Sequence, residues 1–505
     1  MSNQQKNTVS VACEQARQAF TLLSGLAPGE RAGLLDALAA ALEARRDEIL
    51  KTCADETALT IEELTPEFAR MTGTLRMFAD LVREGSWVRA AVDTKQTQGL
   101  VGPNHDIRSM LVPLGPVAVF GSSNFPLAYG VCGGDTASAL AAGCPVVVKE
   151  HPAHPRTGRL LAEIARGAAK AAGFDGELVG YVLTEDPRDY SVAGALVRDA
   201  TITAVGFTGS VSGGLALEKI ARERNVPIPV FAEMGSNNVV VVSGGAAHAH
   251  GDRIADEVAG SLLQRFGQQC TCPGTIVVEV GEAGSRFVDR LAERVNAAAG
   301  RDMLAPWIKQ SYARRVEEAS RATGVRRIAQ GKRAEGPLGA SACLLEVNAE
   351  YRRMVELFKR GELREEIFGP AAVVVRLPID MVGELGLLQT LTFSVYAEPK
   401  EVATDWTVSA LWSVANAHAG RLIFNGVPTG VRVATGMVHG GPFPATNVPH
   451  TTAVGPRAIE RWCRPVCWQN CPDGLLPEEL RDGNPRGVMR VVDGVWTREG
   501  ISRPG

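Results

Sequence analysis

The chain has 505 residues, with 53 Lys and Arg against 56 Asp and Glu, a formal net charge of −3, and 45% hydrophobic residues. That balance predicts a folded, soluble protein and gives no reason to expect a nucleic acid or an anionic membrane as partner. The length exceeds one ordinary core and predicts two or three packed units.

The opening MSNQQKNTVS is polar and lacks the apolar centre of a signal peptide. Ten cysteines without an export signal predict reduced thiols and a cytoplasmic protein. The segments 28–59 and 65–85 carry Ala and Leu at helical spacing with charges on the other face, so the first hundred residues read as helices. A polar stretch, 93–106, separates them from a different texture. The weakly charged run Met110 to Val148 is broken by Gly and Pro and contains Asp135, so strands and a helix are predicted there, not a membrane span. VAVFG is a buried strand ending in a tight turn. DTASALAAGC (135–144) is a helix with Asp135 as N-cap and Gly143 near its end, and PVVVKE (145–150) is the next strand. Helices at 157–173 and 191–199 alternate with strands at 177–184 and 202–210. This alternation predicts a doubly wound α/β unit. A second α/β half follows, with strands at 238–244, 274–281 and 371–377 and a helix at 284–300. An Asp-Gly turn between Val-rich arms predicts a hairpin at 487–500.

Several residues could carry chemistry. Cys270, in RFGQQCTCPG, follows a Gly turn where backbone N–H groups could favour a thiolate and hold an oxyanion. Cys272 fits the same description, and a small buried residue is the other reading of both. Glu233 ends the apolar run IPVFAE. It could act as a general base or cap the next turn. Asn124, in GSSNFP, lies where ligands collect in α/β sheets and could donate to an oxyanion. Turn formation is the commoner use of such an Asn. GFTGSVSGG (206–214) is a Gly-rich turn into a helix, suited to phosphate but short of a full dinucleotide fingerprint. Lys149 could hold a ribose or phosphate, or be a solvated strand end. Cys463, Cys467 and Cys471 are evenly spaced but lack His neighbours and a Cys-x-x-Cys pair, so no metal is expected.

FGSSNFP, AAGCPVVVKEHPAHP, VGFTGSVSGG, VFAEMGSN, GQQCTCPG, EEIFGPAAVV and RLIFNGVPTG occur in the order found in the aldehyde dehydrogenase superfamily. The resemblance covers nearly the whole chain. DLVREGSWV, VKEHPAHP, GMVHGGPFPAT and RPVCWQNCPDGLLPEELR resemble the α-ketoglutarate semialdehyde (2,5-dioxopentanoate) dehydrogenase branch. The resemblance implies an α/β fold in three parts. A Rossmann-like cofactor domain would take residues 1–100 and 116–235, an α/β catalytic domain 236–455, and a small β oligomerisation arm with the tail 101–115 and 456–505. It implies a dimer or tetramer. It makes Cys270 the nucleophile, Glu233 the base and Asn124 the oxyanion donor, with Cys272 a bystander. Lys149, Ser123, Gly209, Ser210, Glu366 and Phe368 fall on cofactor contacts. The implied reaction oxidises an aldehyde through a cysteine thioester.

The pattern departs in places. Pro152 stands where many NAD-preferring relatives carry a Glu for the ribose 2′-hydroxyl, which permits NADP. Arg188 is a candidate phosphate partner. Pro187 near it, and Glu150 beside Lys149, argue the other way. NADP is expected, with NAD as the alternative. Val239 replaces a usual Pro. Residues 300–415 match the branch poorly, so the aldehyde is open between 2,5-dioxopentanoate and a fatty, aromatic or other apolar one. Arg432 is a candidate partner for a substrate carboxylate, a surface Arg being the commoner reading. A CoA-acylating relative usually lacks the base at Glu233. A non-catalytic binding protein of the same fold would have no need of Cys270, Glu233 and Asn124 together.

Overall fold

The computed structural model describes residues 3–95, 97, 101–174, 177–184 and 190–501. Four helices, Asn3–Ser24, Pro28–Ala44, Arg46–Glu56 and Ile61–Glu84, open the chain. The last begins at a capping box, in which Thr60 and Glu63 satisfy each other's backbone N–H groups. It stops at Gly85, whose φ of 83° no longer continues a helix.

The valine-rich runs then build a five-stranded, all-parallel sheet. Its spatial order is Val179–Val182, Val146–Lys149, Val117–Phe120, Ala204–Thr208, Val230–Glu233. Strands such as Val117–Phe120 are buried along their whole length, because helices cover both faces. The chain order reverses at Val117–Phe120. The crevice at that switch point lies between the turn after Phe120 and the turn after Thr208.

The helix after this first strand differs from expectation in one detail. It spans Gly134–Ala142, and Gly133 holds the N-cap position. Asp135 lies in the first turn, where its carboxylate meets the buried Arg461 guanidinium at 2.6 Å. A counter-charge for a distant arginine, stacked over Trp462 at 4.6 Å, outweighs local capping here. Gly143, at φ 98°, ends the helix.

A seven-stranded sheet follows, in the order Val325–Gln330, Cys343–Val347, Ala371–Arg376, Pro273–Val278, Asn238–Val242, Thr390–Tyr396, Ala419–Phe424. All its pairings are parallel except the one at the Val325–Gln330 edge. A mixed five-stranded sheet joins Cys463–Gln469, Ile107–Pro113, Ala91–Asp93, Arg490–Val492 and Val495–Thr497. It draws Ala91–Asp93 from ahead of the polar stretch. Its closing hairpin turns on Asp493 and Gly494, both at positive φ (48° and 84°), as a two-residue hairpin turn requires. No helix is long and apolar enough to cross a membrane, among the described residues.

Helix Gly244–Leu263 leads into three consecutive left-handed residues, Arg265 (φ 49°), Phe266 (φ 54°) and Gly267 (φ 64°). For the two non-glycines such a conformation costs on the order of 1–3 kcal/mol each. At Gly267 a Cβ would lie 2.4 Å from the Gly369 carbonyl, so only glycine passes there. Arg265 holds the turn. It donates to the Asn124 carbonyl (2.9 Å) and the Glu63 carbonyl (2.6 Å), pairs with Glu67 (2.8 Å) and stacks over Phe125 at 4.2 Å. Glu67 in turn accepts from the Leu127 and Ala128 N–H groups at 2.7 and 3.0 Å. Three distant segments therefore close on one buried ion pair. Removing one partner of such a pair strands the other charge. Glu67→Ala is expected to lower stability by about 3–5 kcal/mol, read as a fall in the urea midpoint, whereas removing the exposed Arg17–Glu14 pair (Arg17→Ala) shifts it little.

Candidate active site

The strained turn delivers Cys270, half-exposed, to the N-terminal edge of the seven-stranded sheet, just ahead of strand Pro273–Val278. One buried side chain fixes its backbone. Asn238 Nδ2 donates to the carbonyls of both Cys270 (2.7 Å) and Cys272 (2.9 Å). Asn238 Oδ1 accepts from the Thr392 N–H (3.1 Å) and hydroxyl (2.8 Å) on the next strand. Gln268, two residues before Cys270, is fixed by the Leu304 N–H at 2.9 Å. Cys272 points the other way. It is 7% exposed, burial pushes its thiol far above the ordinary cysteine range, and Sγ meets only backbone carbonyls at 3.9 Å.

Glu233 ends the outer strand of the first sheet, and its backbone is pinned from two sides. Its carbonyl accepts from Gly209 N–H at 2.9 Å, and it bridges to Thr446. That bridge draws in the loop 436–446 and sets His439 between the two sheets. His439 Nε2 lies 3.5 Å from Cys270 Sγ, and its Nδ1 lies 3.2 Å from Glu233 Oε2. The imidazole is 4% and Glu233 6% exposed, so the line runs in a shielded place. Burial alone would depress His439. The Tyr129 ring beside it (centroids 6.2 Å apart), the Cys270 sulfur and the Glu233 carboxylate oppose that and hold it well above the ordinary histidine range. The arrangement can move a proton from sulfur to imidazole, with a carboxylate bracing the far nitrogen.

Asn124 is 7% exposed, in the turn after the first-sheet strand Val117–Phe120. Its Nδ2 donates to the Gln268 carbonyl at 3.0 Å, which brings it against the Cys270 turn and commits one of its two N–H bonds. Ser123 sits beside it, half-buried, and Lys149 ends the neighbouring strand, also half-buried. Gly209 and Ser210 form the turn into helix Val211–Arg222, where Ser210 Oγ accepts from Gly213 N–H at 3.2 Å. A Cβ at Gly209 would lie 2.6 Å from the Phe207 ring, which would have to shift to admit it. Glu366 lies against Gly235, two residues beyond Glu233. Burial pushes its carboxyl up to about 8, opposed by the Ser236 N–H. Phe368 packs half-buried on the core nearby. Glu150 does not face the crevice. It is 2% exposed and turned inward to Arg159 (2.9 Å) and the Thr184 N–H (3.3 Å). Arg188 and Pro187 lie outside the described residues. Arg432 is exposed, away from this cluster of contacts. No metal-ligating group of three His, Cys, Asp or Glu occurs among the described residues.

The structure thus brings Cys270 and Glu233 onto one imidazole, with Asn124 bonded to the Cys270 turn and Gly209 bonded to Glu233. Ser123 adjoins Asn124, and Lys149 ends the neighbouring strand of the first sheet. Sequence reasoning passed over His439, Tyr129 and Asn238. A histidine flanked by glycines in GMVHGGPFPAT was the available signal.

A family model described as the aldehyde dehydrogenase family matches residues 1–441. The chain is 41% identical over 492 residues to alpha-ketoglutaric semialdehyde dehydrogenase 2 of Azospirillum brasilense, covering 96% of this chain and 91% of the relative. It is 37% identical to alpha-ketoglutaric semialdehyde dehydrogenase of Acinetobacter baylyi, covering 97% and 91%. The fold is similar to a glyceraldehyde-3-phosphate dehydrogenase GapN from Methanocaldococcus jannaschii complexed with NADP, at TM-score 0.76 and 17% identity over 92% of this chain and 94% of that one. It is also similar to a salicylaldehyde dehydrogenase from Pseudomonas putida G7, at TM-score 0.75 and 18% identity over 92% and 90%.

The two neighbouring thiols should separate in a labelling experiment. Brief iodoacetamide treatment of the native protein is expected to modify Cys270 and leave Cys272 unmodified, as read by peptide mass spectrometry. Equal labelling of both would contradict the inward packing of Cys272.

Proposed function

The chain belongs to the aldehyde dehydrogenase family, and from that membership we propose a mechanism carried by one observation, the line Cys270 Sγ, His439, Glu233. The protein is an NAD(P)-dependent aldehyde dehydrogenase. His439 Nε2 takes the proton of the Cys270 thiol, and the thiolate attacks the aldehyde carbon. The developing oxyanion is held by the Asn124 amide and the Cys270 backbone N–H. After oxidation the acyl group rests on Cys270 as a thioester. Glu233, braced by His439, then takes a proton from the attacking water, and the carboxylic acid leaves.

The residues at the switch point fit a dinucleotide. Helix Val211–Arg222 presents its N-terminus at the Gly209 turn. Ser123, Lys149, Gly209 and Ser210 would hold the adenosine and diphosphate end, and Glu366 with Phe368 the nicotinamide ribose. When bound, the nicotinamide supplies the hydride acceptor. NADP is the proposed cofactor. Pro152 carries no charge, and Glu150 is neutralised inward by Arg159, so among the described residues these positions set no carboxylate against a 2′-phosphate. Arg188 remains the proposed phosphate partner.

The proposed substrate is 2,5-dioxopentanoate, oxidised to 2-oxoglutarate. Its support is the two relatives at 41% and 37% identity over nearly the full chain. The domain division proposed is 1–100 with 116–235, 236–455, and 101–115 with 456–505. Self-association as a dimer or tetramer is proposed through the mixed sheet, supported by the exposed Val495 and Trp496 of its hairpin and by exposed Trp406 and Phe424 near the outer edge of the seven-stranded sheet.

Turnover of 2,5-dioxopentanoate with NADP, followed as NADPH formation, should be lost by more than about 10³-fold in Cys270→Ala. His439→Gln should lower kcat/KM by about 10²-fold or more. Wild-type kcat/KM should fall as pH drops, because protonation of the thiolate paired with the His439 imidazolium removes the nucleophile. In His439→Gln that acid limb should move to higher pH. Full activity in Cys270→Ala would overturn the mechanism. Pro152→Glu should cut kcat/KM for NADP by about tenfold or more while sparing NAD, read in the same assay.

A further inference from the structure

Buried arginines in this protein have partners. Arg108 pairs with Asp106 and Asp482, Arg265 with Glu67, and Arg461 with Asp135, while Arg490 donates to the carbonyls of Glu479, Arg481 and Asp482. Arg421, like Arg31 and Arg224, forms no ion pair among the described residues. It is half-buried on strand Ala419–Phe424. Nη2 donates to the Pro428 carbonyl, and Nε is buried without a partner among the described residues. A desolvated guanidinium without a counter-ion is costly, and an anion arriving from outside can offset that cost.

Its place in the sheet puts it beside the reacting sulfur. Arg421 stands in register with Thr392 on the neighbouring strand. Thr392 bonds Asn238 on the next, and Asn238 holds the Cys270 carbonyl. Arg421 is therefore two strand spacings, on the order of 10 Å, from the Cys270 turn. On its other side Gly420 presses on Gly440, the residue after His439, where a Cβ would lie 2.2 Å from the Gly440 carbonyl. Burial pushes the Arg421 guanidinium down from its ordinary value, and Cys270 and Tyr129 are the acidic groups that oppose this. No carboxylate contributes. Tyr129 also accepts from a second guanidinium, Arg70, at 2.8 Å, and Arg70 likewise forms no ion pair among the described residues.

We propose that Arg421 is the anchor for the carboxylate of an ω-oxo acid substrate, holding the anion beside Tyr129 while the aldehyde end meets Cys270. The proposal rests on the aldehyde-oxidising reading above and narrows its substrate to aldehydes that carry a carboxylate a short chain away. A planar guanidinium suits two carboxylate oxygens, and such charge-assisted bonds are the strong ones. Arg432, exposed, would not take part.

The test compares kcat/KM for 2,5-dioxopentanoate and for pentanal, a neutral aldehyde of the same chain length, in wild type, Arg421→Gln, Arg421→Lys and Arg432→Ala. Arg421→Gln should lose about 100-fold on the anionic substrate, mainly through KM, and stay within about threefold on pentanal. Arg421→Lys should recover part of the loss, and Arg432→Ala should match wild type. Equal losses on both aldehydes, or no loss on either, would overturn the proposal. If wild type does not turn over 2,5-dioxopentanoate, the substrate reading fails by itself, and 5-oxopentanoate and 4-oxobutanoate replace it in the same comparison. The carboxylate anchor then stands if wild type prefers these to pentanal and Arg421→Gln erases that preference. It falls if wild type prefers the neutral aldehyde.

Discussion

The ion pair between Arg265 and Glu67 is the constraint on which the site depends. It sits where the first helical layer, the turn carrying Asn124 and the turn carrying Cys270 meet. A left-handed run of two side-chain-bearing residues and a glycine would not persist alone. It persists because the guanidinium satisfies two backbone carbonyls and a buried carboxylate at once. Glu67 repeats the logic by capping the Leu127 and Ala128 N–H groups, which lie just after Asn124. One pair of charges therefore sets the distance between two segments belonging to different sheets. The reacting groups inherit that distance.

Burial of charge is used in two ways in this molecule. Asp135 with Arg461, and Glu150 with Arg159, are closed pairs that hold elements together and present nothing to a ligand. The group around Cys270 is open instead. His439 has its two nitrogens on different partners, a sulfur and a carboxylate, so a proton can move along it without exposing a bare charge. The inward turn of Glu150 also answers a question the linear sequence raised. Adjacent to Lys149 in the chain, it looked like negative charge at the cofactor crevice. In a strand, successive side chains point to opposite faces, and here Glu150 goes inward.

Much of the fold was legible in the sequence, because valine-rich runs alternate with alanine- and leucine-rich ones at the right lengths. The strand ends at Phe120, Lys149, Thr208 and Glu233 could be read from the glycines and polar residues that follow them. What stayed hidden was long-range pairing. Asp135 has the right type and position for a cap, and only Arg461, 326 residues away, explains why Gly133 takes that position. Glu67 read as one charge on a helical face, and nothing in the sequence paired it with Arg265. Strands Cys343–Val347 and Thr390–Tyr396 lie where the resemblance thins, and Asn238 gains its meaning only when Thr392 stands beside it. His439 lies in an irregular loop with no periodicity to mark it, so its quoted motif carried no chemistry until the Glu233–Thr446 bridge placed it.

The two cysteines that follow the left-handed turn, Cys270 and Cys272, show how backbone geometry divides chemistry between identical side chains. Both carbonyls bond the same Asn238 amide, so both residues are equally well positioned. Yet a single residue between them sends the side chains to opposite sides. Cys270 meets an imidazole backed by a carboxylate. Cys272 meets three carbonyl oxygens and the apolar core, surroundings that disfavour a thiolate. Carbonyl dipoles repel negative sulfur, and desolvation adds to that repulsion. A thiol held there stays neutral and packs like a small hydrophobe. Reactivity is therefore assigned by the turn, and the turn by a buried arginine that touches neither sulfur.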